Sequence, residues 1–300
     1  MGKSLCAASP AARAVFEAAD RALGEPFSEL ILEGPAERLT QTANAQPAIL
    51  TASIAALQAL READPNLPSP QFAAGHSLGE YSALVAAGAL PFERAVQLVR
   101  LRGEAMQRAV APGEGAMAAM VGPNPAAVEQ LCADVRAELP GRVVSPANYN
   151  APGQIVIAGH ADAVARAMEL AKQRQLKGIP LKVSAPFHCS LMAPAADTLD
   201  RALAELPLNA LDFPVVSNVE ALPNSDPARV RELLVRQVAG AVRWQETLAW
   251  MAAQGVRSAW EIGPGKVLAG LARRAAPDLL VHSAFEPAEV VAVTQRVGAA

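Results

Sequence analysis

The sequence predicts an α/β protein whose parallel sheet is covered by helices on both faces. Strand-like and helical segments alternate on either side of residues 113–184, as they do in parallel sheets joined by helical crossovers. Residues 113–184 follow a different order, β-α-β-β-α-β. In addition, Ser77 lies between two glycines directly after a short strand. These observations indicate a large core into which a smaller module is inserted.

Length and composition are compatible with this organisation. The chain has 300 residues, 52% of them hydrophobic, and a formal charge of −3. It contains no basic run of the kind that binds nucleic acid, and no apolar stretch reaches the roughly 18–20 residues of a membrane span. We therefore expect neither nucleic acid nor membrane as a partner.

The cysteines indicate a reducing compartment. Cys6, Cys132 and Cys189 are widely spaced and odd in number, which argues against a disulfide framework and against a zinc site. The N-terminal residues also lack the sustained apolar core of a signal peptide. A cytoplasmic protein without a bound metal is expected.

Two helices are predicted before the serine motif. Ser9-Pro10 provides an N-cap and a proline at the first helical position, so a helix is expected to about Leu23. Ala45–Arg61 has apolar residues at helical spacing and is expected to be buried. The segment Glu25–Glu37 between them is predicted to be a loop-rich connection.

The serine motif has the form of a nucleophile elbow. The short strand ending at Ala74 runs into Gly75-His76-Ser77-Leu78-Gly79, and a helix pattern follows over Tyr81–Ala87. Such a turn exposes the serine and places backbone N–H groups of a helix N-terminus beside it. The two glycines are expected to avoid Cβ clashes in the turn. The alternative is an ordinary βα loop with an incidental serine.

An arginine interrupts the apolar face of the next helix, which is predicted from Pro91 to about Val110. Arg102 falls in the middle of that face. A buried arginine keeps its charge and therefore needs a partner. One interpretation is an internal salt bridge with Asp or Glu, and the other is a guanidinium that holds a substrate carboxylate.

Residues 113–184 are predicted to form a ferredoxin-like module. The expected strands and helices are Ala116–Val121, Pro125–Arg136, Arg142–Val144 continuing into Asn148-Tyr149-Asn150, Gln154–Ala158, Ala161–Arg174 and Ile179–Val183. The two ends of such a module lie close together, so it can be inserted in a larger domain. The predicted division is a discontinuous core, 1–112 and 185–300, with the insert at 113–184.

A serine nucleophile requires a base, and His188 is the expected one among the four histidines. It lies in a Pro-Phe-His loop after a strand, whereas His76 adjoins the serine and is expected to point away from its oxygen. No carboxylate between Ser77 and His188 follows a core strand convincingly, so a backbone carbonyl is a possible acceptor for the second ring nitrogen. The alternative for His188 is an ordinary surface histidine.

Gly263-Pro264-Gly265-Lys266 invites comparison with phosphate-binding loops. Trp260 and Val267 occupy positions where the Walker A motif needs glycine and a hydroxyl residue, and Leu268 replaces the third glycine of a dinucleotide fingerprint. A tight turn between a strand and a helix is the preferred interpretation.

Several motifs follow one another along the chain: Gly75-His76-Ser77-Leu78-Gly79-Glu80, Arg102-Gly103 with Met106-Gln107, Asn148-Tyr149-Asn150 with Pro152-Gly153-Gln154, Pro186-Phe187-His188-Cys189 and Glu261-Ile262-Gly263-Pro264-Gly265-Lys266. In this order they resemble the motifs of malonyl-CoA:acyl-carrier-protein transacylases, which are related to polyketide-synthase acyltransferase domains. The resemblance spans almost the whole chain. It implies an α/β-hydrolase-like core with an inserted ferredoxin-like subdomain.

The resemblance also implies roles for individual residues. Ser77 corresponds to the nucleophile, His188 to the base and Arg102 to the arginine that pairs with the malonyl carboxylate. The remaining implied positions are a carbonyl acceptor for the histidine at Gln237, an oxyanion N–H at Leu78, a bulky residue that disfavours branched acyl groups at Phe187, and further substrate-binding residues at His76 and Met106.

One motif of the family has no counterpart in the sequence. Family members have a strand that ends in Phe-Pro-Gly-Gln-Gly-Ser-Gln, and its glutamine supplies a second oxyanion N–H, whereas the sequence begins at Met1-Gly2-Lys3. Loss of one oxyanion donor typically costs roughly 10²–10³ in rate. This difference has two explanations: either the start site is placed too late, or catalysis is impaired.

The implied activity is transfer of malonyl from malonyl-CoA to the phosphopantetheine thiol of acyl carrier protein, through a malonyl-serine, in fatty-acid or polyketide synthesis. CoA and phosphopantetheine are parts of the substrates, so no cofactor is expected. Because carriers are acidic, Lys172, Arg174 and Lys177 are candidates for a basic rim, although a solvated helix end is the simpler interpretation. A serine thioesterase or hydrolase and a non-catalytic protein remain alternatives.

Overall fold

The computed structural model describes residues 1–122 and 124–297. In chain order its elements are α1 (Lys3–Ala8), α2 (Pro10–Leu23), α3 (Phe27–Glu33), α4 (Ala36–Leu39), α5 (Thr42–Ala63), β1 (Ala73–Ala74), α6 (Leu78–Ala86), α7 (Phe92–Arg108), β2 (Gly115–Val121), α8 (Pro125–Glu138), β3 (Val144–Ala151), β4 (Gln154–His160), α9 (Ala161–Gln173), β5 (Lys177–Pro180), α10 (Ala193–Ala204), β6 (Val215–Val216), β7 (Pro223–Asn224), α11 (Pro227–Ala239), α12 (Trp244–Ala253), β8 (Ser258–Ile262), α13 (Val267–Ala275), β9 (Leu280–Ala284) and α14 (Pro287–Val297).

The α/β class is confirmed, and the core strands include two parallel pairs. β1 pairs in parallel with β6, and β8 pairs in parallel with β9. The short β7 adds an antiparallel edge to β6, so the described residues form two separate core sheets. The central helices α5 and α7 pack against each other, and their apolar side chains belong to the main hydrophobic core.

The inserted module has the ferredoxin-like arrangement that was predicted. Its four strands are antiparallel and lie in the order β3-β4-β2-β5, with α8 and α9 packed against the sheet. It has its own hydrophobic core, which includes Leu131, Ile155 and Ile157, all fully buried. The proposed division of the chain at 113 and 184 remains a prediction.

The module contacts the core beside the serine motif. The amide of Val242 donates to the carbonyl of Ala147, and the amide of Tyr149 donates to the carbonyl of Val242, each at 2.9 Å. Asn150, in the same strand β3, reaches His76 with 2.8 Å between its Oδ1 and the histidine Nε2. These contacts place the end of β3 next to the elbow.

The loop-rich connection predicted over Glu25–Glu37 is wrong, because this segment contains the helix α3 and the start of α4. Phe27, Leu30 and Ile31 are buried at helical spacing. The prolines and glycine around them obscured that short pattern. The last strand of the module also begins earlier than predicted, because it consists of Lys177–Pro180, the residues that pair with β2.

Candidate active site

Ser77 occupies a sharp turn between β1 and α6. Its backbone has φ 51° and ψ −106°, a conformation that costs a non-glycine residue about 1–3 kcal/mol. Asn218, fully buried, holds the turn through both ends of its amide: Oδ1 accepts the Ser77 N–H at 2.7 Å, and Nδ2 donates to the Gly75 carbonyl at 2.7 Å. The strained turn is therefore stabilised by a residue from the segment after β6.

The two glycines of the elbow have different roles. A Cβ on Gly75 would lie 2.0 Å from the carbonyl of Gly79, so the predicted need for glycine is confirmed there. A Cβ on Gly79 would meet no atom of the described residues within 4 Å, and the same expectation for Gly79 is wrong. The close approach is between the Gly75 Cα and the Gly79 main chain, so only one of the two partners must lack a side chain.

His188 lies against the serine and is oriented by a main-chain carbonyl. Its Nε2 is 2.7 Å from Ser77 Oγ, and its Nδ1 is 2.9 Å from the carbonyl oxygen of Gln237. Because a carbonyl can only accept, the ring proton resides on Nδ1, and Nε2 is free to accept the serine proton. His188 is 4% exposed and, like Ser77, has a positive φ, of 60°.

The surroundings of His188 favour its neutral form. Burial is the larger cause and the positive charge of Arg102 the next, and together they lower the pKa of His188 to about 3. The hydrogen bond to the Gln237 carbonyl acts in the opposite direction. The imidazole is therefore uncharged, and able to accept a proton, at neutral pH.

Arg102 is buried at 2% exposure and points at the serine. Its Nη2 donates to Ser77 Oγ at 3.1 Å and to Gln237 Oε1 at 3.0 Å, and its Nη1 donates to Gln46 Oε1 at 2.7 Å. Within the described residues these hydrogen-bond partners are all neutral, so the internal salt bridge considered above is wrong. A buried guanidinium without a directly bound carboxylate is suited to an anionic group of a ligand.

The side chain of Gln237 connects the guanidinium to a buried carboxylate. Its Nε2 donates to Glu80 Oε2 and to the Ser77 carbonyl, each at 2.8 Å, while its Oε1 accepts from Arg102. Glu80 Oε2 also accepts from the Asn218 amide at 3.0 Å. Burial raises the pKa of Glu80 to about 7, against the lowering effects of Gln237, Asn218 and Arg102.

The other predicted site residues differ in how deeply they are buried. Leu78 is the first residue of α6, so its backbone N–H has no intrahelical acceptor and lies next to the serine. Phe187 is partly buried between two hydrophobic clusters and directly precedes His188. Met106 is 1% exposed, and its Sδ accepts from Gln46 Nε2 at 3.8 Å. His76 faces Asn150 and Trp244, as expected for a ring turned away from the serine oxygen.

Sequence reasoning assigned no role to Gln46, Glu80 or Asn218. Gln46 is a polar residue on the otherwise apolar pattern of α5, and Asn218 follows the buried strand β6. Glu80 belongs to the serine motif but lies on the inner side of α6. In each case the sequence signal for a functional role was a polar residue at a position where the pattern predicts an apolar one.

The candidate basic rim is only partly available. Arg174 forms an ion pair with Asp134, while Lys172 and Lys177 are solvent-exposed. Within residues 1–122 and 124–297, no group of histidine, cysteine and acidic side chains is arranged to hold a metal ion. No helix in the same ranges has the length and apolarity to cross a membrane.

The fold and the site define an α/β protein in which a serine on a sharp strand-to-helix turn lies within hydrogen-bonding distance of a buried histidine and a buried arginine. The chain belongs to the acyl transferase domain family, whose defining pattern matches residues 1–298, and within it to the malonyl-CoA:acyl-carrier-protein transacylases. Malonyl CoA-acyl carrier protein transacylase of Bacillus subtilis is 50% identical over 275 residues, which are 91% of this chain and 85% of the relative.

Solved structures agree with this assignment. The acyl-carrier-protein S-malonyltransferase of Bartonella henselae has a TM-score of 0.95 and 46% identity, covering 99% of this chain and 95% of that one. The malonyl-transacylase that was solved in complex with its type II polyketide-synthase acyl carrier protein has a TM-score of 0.94 and 40% identity, covering 99% of this chain and 94% of that one.

Proposed function

We propose that this protein transfers a malonyl group from malonyl-CoA to the phosphopantetheine thiol of an acyl carrier protein, in fatty-acid or polyketide synthesis. The observation that carries the proposal is the position of Ser77 Oγ, 2.7 Å from His188 Nε2 and 3.1 Å from Arg102 Nη2. A nucleophile, its base and a cation for a free carboxylate thus meet at one oxygen.

In the first half-reaction, Ser77 Oγ attacks the thioester carbon while His188 Nε2 takes its proton. The negative charge on the carbonyl oxygen is stabilised by the Leu78 N–H at the start of α6. Collapse of the tetrahedral intermediate breaks the C–S bond, and His188 returns the proton to CoA as it leaves. The product is an ester between malonate and Ser77.

In the second half-reaction, Arg102 holds the distal carboxylate of the malonyl-serine. The guanidinium lies 3.1 Å from Oγ, so a carboxylate on the acyl chain is within its reach. The pantetheine thiol of the carrier then attacks the ester carbon while His188 removes the thiol proton. Collapse of the tetrahedral intermediate breaks the bond to Ser77 Oγ, which takes the proton back from His188, and malonyl leaves as a thioester of the carrier. CoA and pantetheine act as parts of the substrates, no cofactor takes part, and a cytoplasmic location fits both substrates.

Intact-protein mass spectrometry tests this function. The protein is exposed briefly to malonyl-CoA, with Ser77→Ala as control, and half of each sample then receives holo acyl carrier protein. The expected result is a malonyl adduct that requires Ser77 and disappears only when the carrier is added. An adduct that decays in water alone supports a thioesterase, and absence of any adduct contradicts a catalytic role.

A further inference from the structure

The orientation of the Gln237 amide is determined by its neighbours. Its nitrogen faces two acceptors, the Ser77 carbonyl and the Glu80 carboxylate, and its oxygen faces a donor, Arg102. A flipped amide would place oxygen against the two acceptors and nitrogen against the guanidinium. Since Gln237 is fully buried, no solvent is available to relieve those contacts.

Glu80 is the acidic residue of this arrangement. Its side chain is 2% exposed, and Oε2 accepts from both Gln237 Nε2 and the Asn218 amide. A small cavity of about 10 Å³ lies beside it and is lined largely by apolar residues, among them Leu84 and Leu233. Burying a carboxyl group in such a place costs free energy of desolvation, so we expect Glu80 to have a function in the site.

We propose that Glu80 is a positioning residue for acyl selectivity: its carboxylate fixes the Gln237 amide so that Oε1 holds the Arg102 guanidinium toward the serine. The inference rests on the proposed malonyl transfer. An acceptor oxygen at Nε2 polarises the amide and strengthens Oε1 as an acceptor for the guanidinium. Gln46 holds the other nitrogen, Nη1, so the guanidinium is fixed from two helices, α5 and α11.

The consequence concerns selectivity rather than the chemical step. Arg102 contacts a distal carboxylate, which malonyl-CoA has and acetyl-CoA lacks. Loosening of the guanidinium therefore weakens malonyl transfer more than acetyl transfer. His188 takes its orientation from the main-chain carbonyl of Gln237, which side-chain substitutions at Glu80 leave in place.

The test compares kcat/KM for malonyl-CoA and acetyl-CoA in Glu80→Met and Glu80→Gln. Methionine removes the acceptor, and the malonyl-to-acetyl ratio should fall about tenfold, mainly through KM for malonyl-CoA, as expected for a lost charged hydrogen bond. Glutamine retains one oxygen for both donors and should restore most of the ratio. Equal losses for both acyl groups in Glu80→Met would overturn the proposal.

A double-mutant cycle examines whether Glu80 acts through Gln237. Gln237→Met removes the amide but retains the main-chain carbonyl that contacts His188. In that background Glu80→Met should leave the acyl ratio unchanged, because the connecting group is absent. A full tenfold fall in the Gln237→Met background would contradict the inference.

Two controls separate this role from general destabilisation. Glu261 is also buried, at 9% exposure, and accepts from the amides of Leu268 and Ala269 at the start of α13. Glu261→Met should lower stability without changing the malonyl-to-acetyl ratio.

If Glu80→Met fails to fold, Glu80→Asp provides the second test. It keeps the carboxyl group but shortens the side chain, so the malonyl-to-acetyl ratio should fall. An unchanged ratio would overturn the proposal. Failure of the parent protein to accept malonyl would instead refute the proposed function.

Discussion

The main-chain carbonyl oxygen of Gln237 lies 2.9 Å from Nδ1 of His188. A carbonyl orients the imidazole and selects its tautomer as a carboxylate would, but it adds no full negative charge to stabilise the imidazolium. The nearby charge of Arg102 disfavours that cation further. In the proposed mechanism the malonyl carboxylate binds Arg102 and offsets its charge, which raises the pKa of His188 and makes it a stronger base.

The first prediction concerns the pH dependence of serine acylation. With the pKa of His188 lowered to about 3, the base stays neutral from pH 7.5 down to about pH 5. The single-turnover rate of malonyl-serine formation, followed by mass spectrometry, should therefore be nearly constant over this range. A tenfold loss for each pH unit below 6.5 would show that His188 titrates normally.

The second prediction concerns Arg102. Arg102→Ala removes the cation that we propose pairs with the malonyl carboxylate, so kcat/KM for malonyl-CoA should fall roughly 100-fold, while acetyl transfer changes far less. The pKa of His188 should also rise, because Arg102 is one cause of its lowering. Arg100→Ala is the matched control, because Arg100 is on the same helix but its side chain donates to Glu25 and Asn44. Its loss should leave the ratio of kcat/KM for malonyl-CoA to that for acetyl-CoA unchanged.

The third prediction concerns the support of the elbow. Asn218→Ala leaves the Ser77 N–H and the Gly75 carbonyl without partners in a buried site, so the free energy of unfolding should fall by about 2–4 kcal/mol. Urea denaturation measures this change. Asn209→Ala serves as control, since Asn209 is exposed and donates one hydrogen bond to Gly88. Equal losses of unfolding free energy in the two variants would contradict the conclusion that Asn218 stabilises the elbow.

The fourth prediction uses the two glycines of the motif as a pair. Gly75→Ala places a Cβ 2.0 Å from the main chain of Gly79, so the elbow must distort and acylation should be lost. Gly79→Ala has open space and lies in a helix, where alanine is favoured by about 1 kcal/mol. Thermal unfolding and the mass-spectrometric acylation assay should therefore separate the variants, and similar damage in both would be inconsistent with the structure.

The fifth prediction concerns stability and pH at Glu80. Its pKa is raised from an ordinary 4.5 to about 7, so between these values the native state holds a proton that the unfolded state has lost. This group therefore makes the protein less stable as pH rises, by up to about 1.4 kcal/mol per pH unit. Glu80→Gln removes the effect.

The measurement is urea unfolding of the parent and of Glu80→Gln between pH 4.5 and 7.5. The difference in the free energy of unfolding, variant minus parent, should increase with pH across this window. A difference that is constant with pH would show that Glu80 is not protonated in the native state.

Much of the fold could be predicted because it depends on local patterns. The strand β8 ends and the helix α13 begins on either side of Gly263-Pro264-Gly265-Lys266, so the tight turn predicted there between a strand and a helix is confirmed. The short helix α3 was missed, because Phe27, Leu30 and Ile31 form too brief a pattern between a proline and a glycine. Its stability comes from burial against the core, which local sequence does not reveal.

By itself the sequence determined the elbow, the order of elements in the module and the candidate site residues Ser77, Arg102 and His188, because motifs and periodicity are properties of neighbouring residues. The tertiary structure alone decided what surrounds Arg102. Gln46, Gln237 and Glu80 come from three helices, and only packing brings their side chains to one buried cation. A charge removed from water must find its partners wherever the fold provides them, whatever their distance along the chain.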